Sequence, residues 1–172
     1  MGENPWHVLH VIANHEKRVA QHLAARSVEH YLPLYRERSQ WSDRVVQLER
    51  PLFVGYVFLR FSPRQRLSVV SIPSALHLLG NSGTEGVSAE EVERIRMGLV
   101  GGYALRPHPS LDVGIEVRVR GGVFDGVKGI VTEMRRKCSI VIGVSAVHQS
   151  FSLEVGIDQV ELVATTRRQL AS

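Results

Sequence analysis

Residues 101–111 interrupt the hydrophobic periodicity of this chain and separate two segments with different patterns. The interruption contains a Gly-Gly pair, two prolines and a serine, which is the composition of a linker. Before it, apolar residues recur at both helical and strand spacing, whereas after it only strand-like runs occur. We therefore predict an N-terminal domain at residues 1–100, a linker at 101–111 and a C-terminal domain at 112–172, and we expect the two domains to behave as independent units.

The N-terminal segment combines strands with three helices. An apolar run close to the N-terminus is typical of a strand buried in a sheet, and the residues that follow it place apolar side chains at helical spacing. The run Ser88-Ala89-Glu90-Glu91 predicts the capped start of the third helix. The predicted elements are a strand at 6–12, a helix at 16–27, a hairpin formed by 31–38 and 44–49, a strand at 55–61, a helix that opens at 62–63 and ends before Pro73, a strand at 75–79 and a helix from 88 that includes Leu99.

The C-terminal segment contains strands only. Four glycines within nine residues would each cost a helix about 1 kcal/mol relative to alanine, which disfavours a helical state. Closure of so short a sheet would remove its exposed edges, and we therefore predict a small closed barrel and an α+β chain overall. The five predicted strands lie at 115–119, 129–133, 138–142, 151–155 and 160–162.

Composition indicates the cellular compartment of the protein and the source of its stability. No apolar run approaches the roughly 20 residues that cross a bilayer, and the N-terminus lacks a basic segment that leads into an apolar one. The single cysteine, Cys138, cannot form an intrachain disulfide or supply a zinc site, so stability has to come from apolar packing. We expect a cytoplasmic protein with no membrane partner, and we expect it to be a monomer.

Catalytic motifs are absent from the sequence. There is no G-x-x-x-x-G-K-[ST] phosphate loop, no H-E-x-x-H pair and no G-x-S-x-G elbow. The eight histidines are scattered, and His7 and His10 stand three apart on a predicted strand, so they point to opposite faces. We therefore predict no enzyme activity, no cofactor and no metal site.

Residues 117–131 read VRVRGGVFDGVKGIV and resemble the KOW motif of transcription and ribosomal proteins. Gly121-Gly122 supplies a tight turn, and Gly126 and Gly129 let the backbone bend into the next strand. Phe124 is the expected apolar plug of this turn, and Lys128 completes the motif. The resemblance implies an SH3-like barrel for the C-terminal segment.

Residues 51–58 read PLFVGYVF and look like the central motif of the NusG N-terminal domain. Trp6, the order of the helices and Ile72-Pro73 match the same family, and the two motifs occur in the family's order across a linker. The resemblance implies an elongation or antitermination factor that binds the clamp helices of the largest RNA polymerase subunit. Carried over residue by residue, the binding pocket would centre on Leu52, Phe53 and Tyr56, and we expect Phe53 and Tyr56 to be accessible without activation. The alternative for these side chains is that they belong to the sheet core.

Two departures from the family pattern bear on partners. General NusG proteins carry a Phe-Gly step in a late barrel loop that contacts the termination factor Rho and a small-subunit ribosomal protein, and the matching place near Val147-His148 has neither residue. This weakens the case for both partners. The Pro-Leu-Phe opening of the N-terminal motif is more similar to specialised paralogues of the RfaH and capsule-operon type.

Residues 34–66 hold seven arginines against three acidic residues, in a chain of net charge +4. Cationic grooves with occasional aromatics hold single strands, so we predict contact with non-template DNA, although a solvated charged surface is an equal alternative. The residues assigned to this contact are Arg36, Arg38, Trp41, Arg44 and Arg50. An RNA-binding or ribosome-associated KOW protein is the alternative function, in which Arg118, Arg120 and Lys128 would contact phosphates.

Overall fold

The structure is a computed structural model that describes residues 4–79, 86–108, 115–134 and 137–163. Over these ranges the chain forms three α-helices, a four-stranded sheet, a six-stranded sheet and a two-stranded hairpin. This is a mixed α/β architecture, in agreement with the fold class predicted from the sequence. Gly80-Asn81-Ser82-Gly83, which the sequence assigns to a turn, and residues 109–111 of the predicted linker lie outside the described residues.

The four-stranded sheet is antiparallel and has the order β2-β5-β1-β6. Its strands are β1 (Trp6–Val11), β2 (Glu29–Tyr31), β5 (Tyr56–Arg60) and β6 (Ala75–Leu79). One face is covered by α1 (Glu16–Ala25) and α2 (Arg66–Val70), because these helices place Val19, Leu23 and Val69 against it. A compact core therefore closes on this face from elements adjacent in the chain.

The opposite face of this sheet is covered by more distant elements. Helix α3 (Ala89–Val100) begins at Ser88, whose hydroxyl oxygen accepts the Glu91 backbone N–H at 3.1 Å, as the sequence predicts. The helix adds Val92 and Ile95 to a core that also contains Trp6 and Phe58.

Strands β3 (Leu34–Gln40) and β4 (Val45–Pro51) form a hairpin that is not hydrogen-bonded to either larger sheet. Their register pairs Leu34 with Pro51 and Gln40 with Val45. The Trp41 backbone N–H donates to the Arg44 carbonyl at 2.8 Å, which extends the ladder by one pair and leaves Ser42 and Asp43 as the turn. The hairpin predicted from the sequence is confirmed.

The C-terminal sheet has six antiparallel strands in the order β12-β8-β9-β10-β11-β7. The predicted closed five-stranded barrel is not confirmed, because within the described ranges no pairing joins the two edge strands β7 and β12. The predicted linker also differs: β7 lies inside it and pairs with β11. Pro107 is tolerated in β7 because an edge strand does not need every N–H. The strands are β7 (Arg106–His108), β8 (Ile115–Val119), β9 (Lys128–Met134), β10 (Cys138–Val144), β11 (Gln149–Val155) and β12 (Val160–Leu162).

The N-terminal part and the C-terminal sheet share one core. Phe53 and Phe58 belong to the same buried cluster as Phe124 and Phe151. A Cβ added at Gly98 of α3 would lie only 2.5 Å from the Phe124 ring, which shows how closely the ring packs on the helix. The predicted independence of the two parts is therefore wrong for this structure, while the division into domains at 1–100 and 112–172 stays a prediction.

Candidate functional site

The segment that connects β4 to β5 carries Leu52 and Phe53, two of the three residues assigned to partner binding, and the third, Tyr56, begins β5. Its start is fixed by the Leu52 backbone N–H, which donates to the Pro33 carbonyl at 2.9 Å. Its end turns at Gly55, whose φ of 85° lies in the region that favours glycine. Leu52 and Phe53 are thus held on a short, defined turn against the sheet, and Tyr56 follows at the start of β5.

A buried carboxylate fixes this turn from the other side. Glu16 is 1% exposed, and its Oε1 accepts the Gly55 backbone N–H at 2.7 Å and the Asn14 backbone N–H at 3.2 Å. Sequence reasoning missed Glu16, because an acidic residue in the first turn of a helix is ordinarily explained by the helix dipole. Only the fold brings it to a turn 39 positions further along the chain.

Phe53 and Leu52 are buried, each with 1% of its surface exposed. The Phe53 ring meets Phe58 at a centroid distance of 5.8 Å and Phe151 of β11 at 6.1 Å. Beside it, the Gln149 side-chain amide donates to the Val54 carbonyl at 2.9 Å. The predicted accessibility of Phe53 is therefore wrong for this structure, because β11 and the sheet core cover it, and Leu52 is buried beside it.

Tyr56 remains partly exposed and forms one end of an aromatic row across the sheet. The register places His10 between Tyr56 on one side and His77 on the other. Ring centroids lie 5.0 Å apart for His10 and Tyr56, which are stacked, and 4.8 Å apart for His10 and His77. We name Tyr56, His10 and His77 the aromatic row.

Histidine placement was only partly predictable. His7 and His10 do point to opposite faces, since His7 contacts Phe61 of the helix-covered core and His10 contacts Tyr56. The row itself was missed, because its histidines are 67 positions apart in sequence (77 − 10) and only strand pairing joins them. Burial lowers the pKa of His10, and the neighbouring charge of His77 lowers it further.

The five residues assigned to DNA contact do not lie on one surface. Side chains alternate between the two faces of a strand, so the register places Arg36 and Arg38 on one face of the hairpin and Arg50, with its partner Glu37, on the other. Arg36 and Arg50 are engaged by the carboxylates of Glu49 and Glu37. The Arg44 guanidinium lies over the Trp41 ring, 5.7 Å from its centroid.

The KOW-like residues adopt the geometry that their sequence predicts. Gly121, Gly122 and Gly126 all have φ between 71° and 79°, and the Gly121 N–H donates to the Asp125 carboxylate at 2.6 Å. Phe124 is buried as the expected plug, although the surface it fills belongs partly to α3. Gly129 allows close packing, since a Cβ there would lie 2.8 Å from the Val141 carbonyl. Lys128 pairs with Glu116 at 3.7 Å.

Metal and membrane features are absent over the part of the chain that the structure describes. No cluster of three or more His, Cys, Asp or Glu side chains there could hold a metal ion. No helix in those ranges has the length and apolar character needed to span a membrane.

The fold and site define a mixed α/β chain in which a second β-sheet packs over the turn between β4 and β5 of the N-terminal part. Residues 4–96 match the family model described as transcription termination factor NusG. Because this match spans more than half of the chain, the protein belongs to the NusG family. It is thus a transcription factor of the NusG kind, and proteins of this family are not enzymes.

Two solved structures are among those that were found to be similar to this chain. A structure of NusG from Thermotoga maritima, titled for its domain interaction, overlaps with a TM-score of 0.58 at 18% identity, covering 92% of this chain and 97% of that one. A chain of the MjSpt4:Spt5 complex covers 92% of this chain and 97% of its own, at 11% identity and a TM-score of 0.31. No curated protein sequence matches this chain significantly.

Proposed function

We propose that this protein is an elongation or antitermination factor that binds the clamp helices of the largest RNA polymerase subunit through the sheet face that carries Tyr56 and Phe53. The observation that carries the proposal is the contact of Phe53 with Phe151. The turn between β4 and β5, which contains Phe53, is apolar, and the ring that covers it belongs to a different sheet. An apolar surface of this kind is what the core of a protein-docking site presents.

The aromatic row would be the part of this face that a partner meets first. Tyr56 and His10 are half-buried and His77 is exposed, so the partner can reach them while β11 still covers Phe53. Full docking on Phe53 then requires β11 to move away, and the apparent affinity falls by the fraction of molecules in the open state. The docking residues are therefore Leu52, Phe53 and Tyr56, as assigned from the sequence, with His10 added.

The C-terminal sheet would contact a further factor once it is released. Val147 is fully buried, and His148 occupies a turn with φ of 50°, so the place at which general NusG proteins present Phe-Gly offers no apolar side chain. This argues against Rho and the ribosomal protein as partners and keeps the specialised paralogue type as the preferred class.

Binding of free RNA is the less supported alternative. Arg120 is paired with Glu161 at 3.4 Å and Lys128 with Glu116 at 3.7 Å, so two of the three cations assigned to phosphate contact are partly neutralised. Such pairs reduce the local positive potential on which phosphate binding depends.

The test is the affinity of the intact chain for a fragment of polymerase that contains the clamp helices. Tyr56→Ala should weaken binding about 30-fold, because aromatic anchors typically contribute about 2 kcal/mol or more. Leu67→Ala is the matched control, since Leu67 is 80% exposed on α2, on the other side of the sheet. Unchanged affinity for the folded Tyr56→Ala variant would remove this face from the proposal.

A further inference from the structure

A cavity of about 310 Å³ lies at the boundary between the N-terminal part and the C-terminal segment. Residues of both parts line it: Gly101, Gly102 and Tyr103 of the turn after α3, and Lys137, Glu154 and Gln159 of the C-terminal segment. We name it the boundary cavity. Ligand pockets usually measure roughly 300–1,000 Å³, so this volume suits a small molecule.

The Tyr103 side chain crosses the boundary and forms a fixed wall of the cavity. Its ring meets the Phe124 ring edge-on at a centroid distance of 5.5 Å, and a Cβ added at Gly122 would lie 2.6 Å from its hydroxyl oxygen. The backbone is held as well, because the Tyr103 N–H donates to the Gly98 carbonyl at 3.1 Å. Packing and hydrogen bonding therefore fix this wall in place, as a binding site requires.

Two opposite charges line the boundary cavity without neutralising each other. Lys137 directly precedes β10, and Glu154 lies near the end of β11. In the part of the chain that the structure describes, neither of them forms an ion pair.

Gln159 adds a hydrogen-bond donor beside these charges. Its Oε1 accepts the Gly156 backbone N–H at 3.0 Å, which fixes the orientation of the side-chain amide. Within the described ranges, the NH₂ group of this amide has no protein partner. The cavity thus offers an ammonium and an amide N–H to an anionic group, and a carboxylate to a cationic group.

We propose that the boundary cavity binds a small zwitterion of the amino-acid class, with its carboxylate at Lys137 and Gln159 and its ammonium group at Glu154. A simple anion would be attracted by Lys137 and repelled by Glu154, and a simple cation would meet the reverse. A molecule that carries both charges can form charge-assisted hydrogen bonds with both residues. The Tyr103 ring offers an apolar contact to a short side chain of the ligand.

Binding at the boundary cavity should stabilise the closed arrangement of the two parts. A ligand that contacts residues of both parts favours the state in which these residues lie together. Because Phe151 covers Phe53 in this state, the zwitterion should lower the apparent affinity for the clamp-helix fragment. This consequence rests on the proposed function, whereas the binding of the zwitterion does not.

The test follows the backbone amides of the intact, isotope-labelled chain by NMR during titration with L-alanine and with L-alanyl-L-alanine. The amides of Gly101, Gly102 and Gln159 should shift with one shared dissociation constant in the millimolar range. Acetate and methylammonium each carry one of the two charges and should leave these amides unshifted. The tighter of the two zwitterions identifies a free amino acid or a short peptide as the natural source of the ligand.

Variants at the two charges assign the binding to this cavity. Lys137→Met and Glu154→Gln should each weaken binding of the zwitterion about tenfold or more, because each removes a hydrogen bond to a charged group. Lys128→Met and Glu116→Gln are the matched controls, since they remove the same charges from an ion pair elsewhere on the C-terminal sheet. The controls should change the affinity by less than about threefold.

Amide shifts that do not saturate below about 100 mM of either zwitterion, or that acetate alone reproduces, would overturn the proposal. Wild-type affinity for both zwitterions in Lys137→Met or in Glu154→Gln would overturn it as well. Unchanged clamp-helix affinity at saturating zwitterion, in a chain whose binding Tyr56→Ala weakens, would remove the coupling to the closed arrangement. Failure of the polymerase proposal is distinguishable, because the amide shifts are measured without polymerase and Tyr56→Ala should retain them.

Discussion

The two faces of the four-stranded sheet are sealed in different ways. On one face, Leu9 and Leu59 pack under α1 and α2, so every cover element lies within the first 78 residues. On the other face, Trp6 and Phe58 share a cluster with side chains of α3 and with residues from Val117 to Val155. The same sheet is thus half closed by neighbours in sequence and half closed by a second sheet.

The helix-covered core and the shared core differ in how they can open. The helix-covered core cannot lose its cover without unfolding the segment that contains it. The shared core loses its cover when the C-terminal sheet moves as a unit, which exposes Phe53 while both sets of strands stay paired. Interfaces between parts of one chain open more readily than cores do, because each side keeps its own hydrogen bonds.

The largest effect is expected from a cavity in the helix-covered core. Leu23 is fully buried in α1, so Leu23→Ala should lower the free energy of unfolding by about 2–5 kcal/mol. Urea denaturation followed by circular dichroism measures this loss, and the exposed Leu67→Ala should stay within about 0.5 kcal/mol of the wild type. A loss below about 1 kcal/mol in Leu23→Ala would show that this face is loosely sealed.

A larger side chain at Gly98 should open the shared core while the N-terminal part and the C-terminal sheet both stay folded. Leucine there would clash with the Phe124 ring, while α3 itself gains about 1 kcal/mol of helix propensity. We expect Gly98→Leu to keep its circular dichroism spectrum, to gain radius of gyration in solution scattering and to bind the clamp-helix fragment more tightly than the wild type.

Two further variants serve as controls for Gly98→Leu. Val100→Leu changes an exposed position of the same helix and should leave the radius unchanged. Phe124→Ala combined with Gly98→Leu removes the ring that clashes and should restore the wild-type radius. A Gly98→Leu protein as compact as the wild type would mean that the shared core adapts to the added side chain rather than opening.

Sequence patterns predicted the secondary-structure elements better than they predicted which segments pack over those elements. Ser88 identified the start of α3, and the glycines at 121, 122 and 126 adopt the positive φ that a tight turn requires. Apolar periodicity also located β1, β5 and β6 of the four-stranded sheet and the helices that cover it, but it did not predict the edge strand β2. These features depend on residues close together in the chain, where local physical chemistry decides the outcome.

The position of Phe53 was not predictable in the same way. A pattern shows that a side chain is apolar, but it does not show whether water, a partner or a distant segment covers it. The proline in the edge strand β7 is typical of a linker, so the sequence did not predict this strand. Glu16 likewise reaches the Gly55 turn only through the fold. In each case the missing information was a contact between residues far apart in sequence.

Removal of the Glu16 carboxylate should have an intermediate effect at the boundary between the two faces. Glu16→Ala leaves the buried Gly55 N–H without its acceptor, which costs about 1–3 kcal/mol, whereas Glu16→Gln keeps an acceptor oxygen and should lose less. Urea denaturation compares the two variants. Equal losses would mean that packing of the side chain, rather than the hydrogen bond to Gly55, fixes the turn.

The smallest effect concerns the two histidines that β1 places on opposite faces. Burial lowers the pKa of His7 and of His10, with a further lowering by the charge of Arg66 for His7 and of His77 for His10. Because each folded-state pKa lies below the ordinary value of 6.5, the unfolded chain binds more protons as the pH falls through 6.5. The native state should therefore be fully stabilised above pH 6.5 and should lose stability as the pH falls below 6.5.

The variants His7→Gln and His10→Gln assign this loss to a face. Each should reduce the difference in melting temperature between pH 7.5 and 5.5, because the side chain no longer takes up a proton on unfolding. If acid increases binding to the clamp-helix fragment, only His10→Gln should also reduce that increase. His10 stacks on Tyr56 beside the shared core, whereas His7 contacts Phe61 under the helices. An identical response of the two variants in both measurements would show that acid acts on the sheet as a whole and that its two faces are not sealed independently.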